Sequence, residues 1–210
     1  MIDIDFQPSG LASLRVVGQV ERELPKAIAA VEQHMGVVVP PLTVVVAGRS
    51  GMATAKVLAA GWRRGSARAV AGYWLHTRRA AQGALACTSV TRTDRIVIAV
   101  NSTALKRHEP GEVWSTLVHE LVHAVQMDRP GRRAELRSGM DHDLRVTELP
   151  PGLRQAMDAV TAIEEAEAYA IQRDLDPAVE PAPFDHSPAA RRLVDAARRW
   201  ETSVESIHAR

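Results

Sequence analysis

The chain has 210 residues, of which 46% are hydrophobic and 24% are charged, a composition typical of an ordinary globular protein. Its formal net charge of +1 does not supply the strong positive field that nucleic-acid binding usually requires, so we expect no nucleic-acid partner. Cys87 is the only cysteine, which excludes an intrachain disulfide and a cysteine-based zinc site.

No targeting or membrane signal stands out in the sequence. The first residues lack a positive stretch followed by an apolar one, and no apolar run is long enough to span a bilayer. We therefore expect a cytoplasmic protein with no membrane partner.

Apolar periodicity divides most of the chain into helices and strands. Apolar residues every three or four positions predict helices, whereas short β-branched runs between glycines and prolines predict strands. In chain order, the pattern predicts a helix at about 16–35 ended by Gly36, a strand at 42–47, a helix at 53–60, strands at 70–77 and 84–90 joined by a turn at 78–83, a strand at 94–100 and a loop at 101–103.

The next predicted element is a helix at 112–127, preceded by Pro110. Apolar side chains cover a wide arc of this helix, so it should be largely buried. Proline suits the first turn of a helix, and the acidic residues beside it suit the positive end of the helix dipole.

This buried helix carries His119, Glu120 and His123. A spacing of four residues places both imidazoles on one face, close enough to bind one metal ion, with Glu120 beside the position of a metal-bound water. Such polar groups are costly in a helix that otherwise faces a core. The alternative is that both histidines are hydrogen-bonded core residues and that Glu120 lies on a solvated edge.

The pattern resembles the HExxH helix of the zincin metallopeptidases, which follows a β-strand that borders the substrate cleft. The strand at 95–100 and the helix at 112–127 stand in that order, and the resemblance covers 85–175. It implies an α+β, zincin-like fold with a small mixed or antiparallel sheet packed on the active-site helix and further helices. It also implies Zn²⁺, a peptide or protein substrate added as an extra strand beside 95–100, and Glu120 as the general base.

A catalytic zinc usually has three protein ligands and a water, so a third ligand is needed. The metzincin pattern is absent, because Gln126 and Arg129 stand where Gly and His would be. The gluzincin arrangement takes a Glu from a later helix, and residues 153–175 predict one. Glu164 and Glu167 lie on or beside its apolar stripe, so either carboxylate needs a partner.

The resemblance adds a second criterion, because the ligand Glu of several zincin families is followed three residues later by a small residue. Glu167 with Ala170 meets both criteria. Glu165 with Ala168 matches the spacing but points away from the stripe, and Glu164 fails the spacing. We therefore predict Glu167 as the third metal ligand after His119 and His123, with Glu164 second. The alternative is that all three acids belong to a solvated helix edge.

Asp141, His142 and Asp143 offer a competing set of ligands between the two helices. Their flanking sequence lacks the glycine-threonine pattern that accompanies an Asp ligand in some zincins, so a loop that lines the cleft is the preferred interpretation. His142 or Tyr169 is chemically suited to donate a hydrogen bond to an oxyanion.

The character of the chain changes after Leu175. We predict a zincin-like catalytic domain at 1–176, a proline-rich linker at 177–188 and an amphipathic C-terminal helix at 189–210. That helix either packs back on the domain, which would bury Trp200, or binds a partner, including a second copy of the chain. A third role, as an inhibitory tail, has no positive signal in the sequence.

Two functions of different classes fit these patterns. The first is a zinc metallopeptidase of the HExxH type, and the second is a non-catalytic, zincin-like binding or structural protein that a metal stabilises. Glu120 favours the first, because a purely structural metal site has no use for a general base.

Overall fold

The computed structural model describes residues 3–5, 14–61, 65–81, 83–108 and 110–177. The chain forms two compact units, Met1–Glu148 and Leu149–Arg210. The linker predicted at 177–188 lies outside the described residues except for Pro177, and so does the whole helix predicted at 189–210.

The first unit combines a small mixed sheet with several helices, as predicted for an α+β fold. Its strands are β1 (Asp3–Asp5), β2 (Leu42–Ala47), β3 (Ala86–Val90) and β4 (Ile96–Asn101). Its described helices are α1 (Leu14–Met35), α2 (Arg49–Ala59), α3 (Ala67–Ala80), α4 (Ser102–Leu105), α5 (Pro110–Met127) and α6 (Arg132–Asp143). The described part of the second unit contains α7 (Pro151–Leu175). None of the described helices is long and apolar enough to cross a bilayer.

The strand order in the sheet is β1-β2-β4-β3. The β1–β2 and β2–β4 pairs are parallel, whereas β3 and β4 are antiparallel. Because β4 is hydrogen-bonded to β2 on one side and β3 on the other, the prediction that a substrate adds beside residues 95–100 is wrong. Among the described strands, β3 ends the sheet and pairs with β4 alone.

The core of the first unit lies on both faces of β2 and β4. Both strands are nearly continuous runs of Val and Ile whose side chains are almost all buried, as expected for parallel strands covered on both faces. One stripe of α1 is also buried, and α1 packs against α5. This packing holds α5 rigidly against the sheet.

Residues 70–77 form part of α3, so the predicted strand and much of the turn at 78–83 are wrong. The Ser66 side chain caps the helix by accepting a hydrogen bond from the Ala69 amide at 3.2 Å. The helix packs against α2. A cap and a helical partner therefore override the strand preference of Val70, Tyr73 and Trp74.

Two shorter predictions also fail. Residues 101–103 are not a loop, because Asn101 ends β4 and its side chain accepts hydrogen bonds from the Thr103 and Ala104 amides at the start of α4. Residues 141–143 are not a loop either, since they form the last turn of α6.

Candidate metal centre

Helix α5 carries His119, Glu120 and His123 near its middle, in a buried setting. Most of its apolar residues are almost completely excluded from solvent, although Trp114 and Val125 are half-buried. His119 is 9% exposed and Glu120 is 6% exposed, whereas His123 is half-buried. The prediction of a largely buried helix is therefore confirmed, and buried polar groups on such a helix must be stabilised.

The two imidazoles of α5 converge on one point. The Nε2 atoms of His119 and His123 lie 3.0 Å apart, and the ring centroids are 4.6 Å apart with the planes at 84°. Two nitrogen ligands of a tetrahedral zinc ion, each about 2.0–2.1 Å from the metal, lie roughly 3.3 Å from each other. The observed separation of 3.0 Å is close to this value and also fits a direct hydrogen bond between the two rings.

Gln126 contacts the His123 ring at the edge opposite the convergence point. Its Oε1 lies 2.7 Å from Nδ1 of His123, and Gln126 is 1% exposed. An amide oxygen only accepts hydrogen bonds, so Nδ1 carries the proton and donates it. In the neutral ring, this tautomer has its lone pair on Nε2. In the sequence Gln126 served only to reject the metzincin pattern, although its spacing of three from His123 could have indicated this contact.

Glu120 is attached to the sheet by Thr88 of β3. The Thr88 hydroxyl lies 2.6 Å from Glu120 Oε2, to which it donates, and 3.0 Å from the Glu120 backbone oxygen. The carboxylate is thus anchored through one oxygen beside the strand that ends the sheet. Thr88 was not predicted from the sequence, because no local pattern joins two residues 32 positions apart.

The predicted metal ligands divide between the two units of the chain. His119 and His123 lie on α5 of the first unit, where their Nε2 atoms face each other. The acids Glu164, Glu165 and Glu167 lie on α7 of the second unit. The assignment of Glu167 as the third ligand, with Glu164 second, therefore stays a prediction.

The competing ligands Asp141, His142 and Asp143 of α6 belong to no candidate metal cluster among the described residues. Asp141 forms an ion pair with Arg92, whose Nη1 lies 3.1 Å from Asp141 Oδ2. Nε of the same Arg92 donates to the Ala60 carbonyl at 3.0 Å. Asp141 therefore ties α6 to the end of α2. Oxyanion roles for His142 and Tyr169 stay predictions.

A second polar cluster, formed by Lys56, Tyr73 and Cys87, lies at the neighbouring position of β3. Cys87 packs against Met52 and Ala99 and hydrogen-bonds the Lys56 side chain. Its side chain points to the opposite face of the sheet from Thr88, because successive residues of a strand alternate between faces. We refer to these three residues as the lysine cluster.

Burial and charge set the protonation of the lysine cluster. Burial is the main cause that raises the pKa of the Cys87 thiol, and the Glu120 charge adds to it. Burial likewise raises the pKa of Tyr73. The charge of Cys87 in its ionised form is the main cause that raises the pKa of Lys56, with further contributions from Tyr73 and Glu120. At neutral pH the lysine is therefore a cation beside a neutral thiol and a neutral phenol.

Comparisons with protein-family models, with curated proteins and with solved structures gave no significant match. Functional inference therefore depends on the chemistry of the side chains in the site.

Proposed function

We propose that the chain is a zinc-dependent metallopeptidase in which His119 and His123 bind the metal together with one carboxylate of α7, for which the sequence favours Glu167, and in which Glu120 is the general base. The observation that carries the proposal is the pair of Nε2 atoms 3.0 Å apart on a buried helix that also presents a carboxylate. Two imidazoles with one carboxylate form a donor set that suits zinc and leaves a coordination position open.

Each residue of α5 then has a separate chemical role. A bound zinc ion supplies Lewis acidity, which polarises a scissile carbonyl and acidifies water. Glu120 accepts the proton of the attacking water and delivers it to the leaving amine. Thr88 holds the Glu120 carboxylate in place through a hydrogen bond of 2.6 Å. A metal site with a purely structural role does not need the buried Glu120 carboxylate beside its ligands.

The position of β3 supports a peptide as the substrate. An extended peptide that pairs with the end strand of a sheet gains main-chain hydrogen bonds with little dependence on its sequence. β3 pairs with β4 alone among the described strands and also carries Thr88, which contacts Glu120. A peptide added to β3 therefore runs close to the general base. A cytoplasmic location and the absence of a nucleic-acid partner stay predictions.

Metal content tests the ligand set. Elemental analysis of the purified full chain is expected to give about one zinc per chain, lost in His119→Ala and His123→Ala. Among Glu164→Gln, Glu165→Gln and Glu167→Gln, only the variant of the third ligand, expected to be Glu167→Gln, should bind zinc at least about 10-fold more weakly than the wild type. A wild-type chain that contains no zinc and takes up none on titration would contradict the metal site.

Activity tests the base. A mixed peptide library digested with the zinc-loaded chain should show metal-dependent cleavage, and Glu120→Gln should abolish cleavage while retaining zinc. If Glu120→Gln cleaves as well as the wild type, Glu120 is not the base. If zinc is bound and no peptide is cleaved, the non-catalytic metal-stabilised protein is the better interpretation.

A further inference from the structure

Gln126 is a buried glutamine that contacts the His123 ring. It is a polar residue on α5 with 1% of its surface exposed, one turn beyond His123, and its Oε1 lies 2.7 Å from Nδ1 of that histidine. Burial of an amide is unfavourable unless its hydrogen bonds are formed, so this contact stabilises the fold. Many polar partners could stabilise a buried amide. The observed partner, however, is a histidine whose other ring nitrogen faces His119.

We propose that Gln126 is a positioning residue that fixes His123 as a metal ligand through Nε2. This inference rests on the proposed metal site. Neutral imidazole exists in two tautomers, and only the one with its proton on Nδ1 leaves Nε2 free to bind a metal. The Gln126 amide oxygen accepts that proton and so selects this tautomer before any metal arrives.

The same hydrogen bond fixes the direction of the ring. Rotation of the His123 ring would break the contact with Gln126 and move Nε2 away from the convergence point with His119, where the two nitrogens lie 3.0 Å apart. Hydrogen-bond partners of metal-binding histidines act in this way, and their loss typically weakens metal binding about 10–100-fold. Gln126 thus contributes to metal affinity without touching the metal.

Zinc affinity of the full chain, measured by competition with a chromophoric chelator, tests this role. Gln126→Met keeps the side-chain volume and removes the acceptor, so zinc binding should weaken about 10–100-fold. Gln19→Met is the matched control, because Gln19 is a buried glutamine of α1, 5% exposed, and its substitution should leave zinc affinity unchanged. Gln126→Glu keeps an acceptor and should bind zinc at least as tightly as the wild type.

The visible spectrum of the Co²⁺-loaded chain gives a second readout. Gln126→Met should change the ligand-field bands, because the His123 ring is no longer held, whereas Gln19→Met should reproduce the wild-type spectrum. An unchanged spectrum together with a zinc affinity within about twofold of the wild type would overturn the inference, since a positioning hydrogen bond has a larger effect.

Folding is checked by circular dichroism. If Gln126→Met does not fold, the zinc affinity of Gln126→Glu is the test, and a loss of affinity in that variant overturns the inference. The outcomes also separate the two proposals. A wild-type chain that binds no zinc removes both, whereas a wild type that binds zinc as tightly as Gln126→Met removes only the role of Gln126.

Discussion

The two faces of β3 bury polar side chains in opposite ways. On the α2 face, Cys87 hydrogen-bonds Lys56, so a cation and a neutral thiol satisfy each other within the protein. On the α5 face, beyond the Thr88–Glu120 contact, two imidazole nitrogens of the same kind face each other at 3.0 Å. A proton or a metal ion between these two nitrogens would hold them together. The first face thus pairs its polar groups within the protein, whereas the second supplies two of the nitrogen ligands that the proposed metal site requires.

The largest expected effect concerns the α5 face. Free zinc at about 1,000 times its dissociation constant should stabilise the folded chain by about 4 kcal/mol, because the unfolded chain lacks the assembled site. We expect a matching rise in the thermal unfolding temperature, lost in His123→Ala. Cys87→Ala is the control from the other face and should keep the full zinc-dependent rise. Loss of that rise in Cys87→Ala would show that the two faces are not separate.

A smaller effect is expected from the lysine cluster. Lys56→Met removes the cation that hydrogen-bonds Cys87 and stabilises the nearby Glu120 charge, so the free energy of unfolding should fall by about 1–3 kcal/mol. Urea unfolding in the presence of a chelator measures this change without a contribution from metal. The exposed Lys106→Met is the matched control. A midpoint equal to that of the wild type would show that Lys56 has no stabilising role.

Thr88 connects the α5 face with the proposed chemistry. Thr88→Val preserves the shape of the side chain and removes the hydrogen bond to Glu120, which should lower kcat about 10-fold, the equivalent of roughly 1.4 kcal/mol. KM and zinc content should not change, because the threonine touches neither metal ligand. Thr43→Val on β2 is the control. Unchanged kcat on a peptide that the wild type cleaves would show that the Thr88 hydroxyl does not position the base.

The smallest expected effect is the alkaline pH dependence of stability. The pKa values of Cys87, Tyr73 and Lys56 are all raised by folding, from ordinary values of 9.0, 10.0 and 10.5. The folded chain therefore holds these protons more tightly than the unfolded chain, and stability falls as pH rises above about 9. Urea midpoints measured from neutral pH upward should show this decline, with an onset at higher pH in Cys87→Ala. An equal decline in Cys87→Ala would exclude the thiol as a cause.

Burial explains which elements the sequence predicted. Helices α1, α5 and α7 and strands β2 and β4 were predicted because each has an apolar pattern that reports directly on its packing. Residues 70–77 carry a pattern of aromatic and aliphatic residues that suits either a strand or a helix. Contact with α2 and the cap at Ser66 decide between them, and neither is visible in a short window of sequence.

The residues of the candidate site also differ in whether local sequence could predict them. His119, Glu120 and His123 were predicted because their geometry depends on one helical turn of local sequence. The contact between Thr88 and Glu120 joins two elements that are distant in the chain, so no spacing rule finds it.

The position of β3 at the end of the described sheet also bears on how the protein behaves in concentrated solution. A strand with a single partner is a template for pairing with any extended chain, including the same strand of a second molecule. Binding of the proposed peptide substrate and self-association would then compete for the same backbone amides. A short peptide that pairs with β3 should therefore slow aggregation during storage.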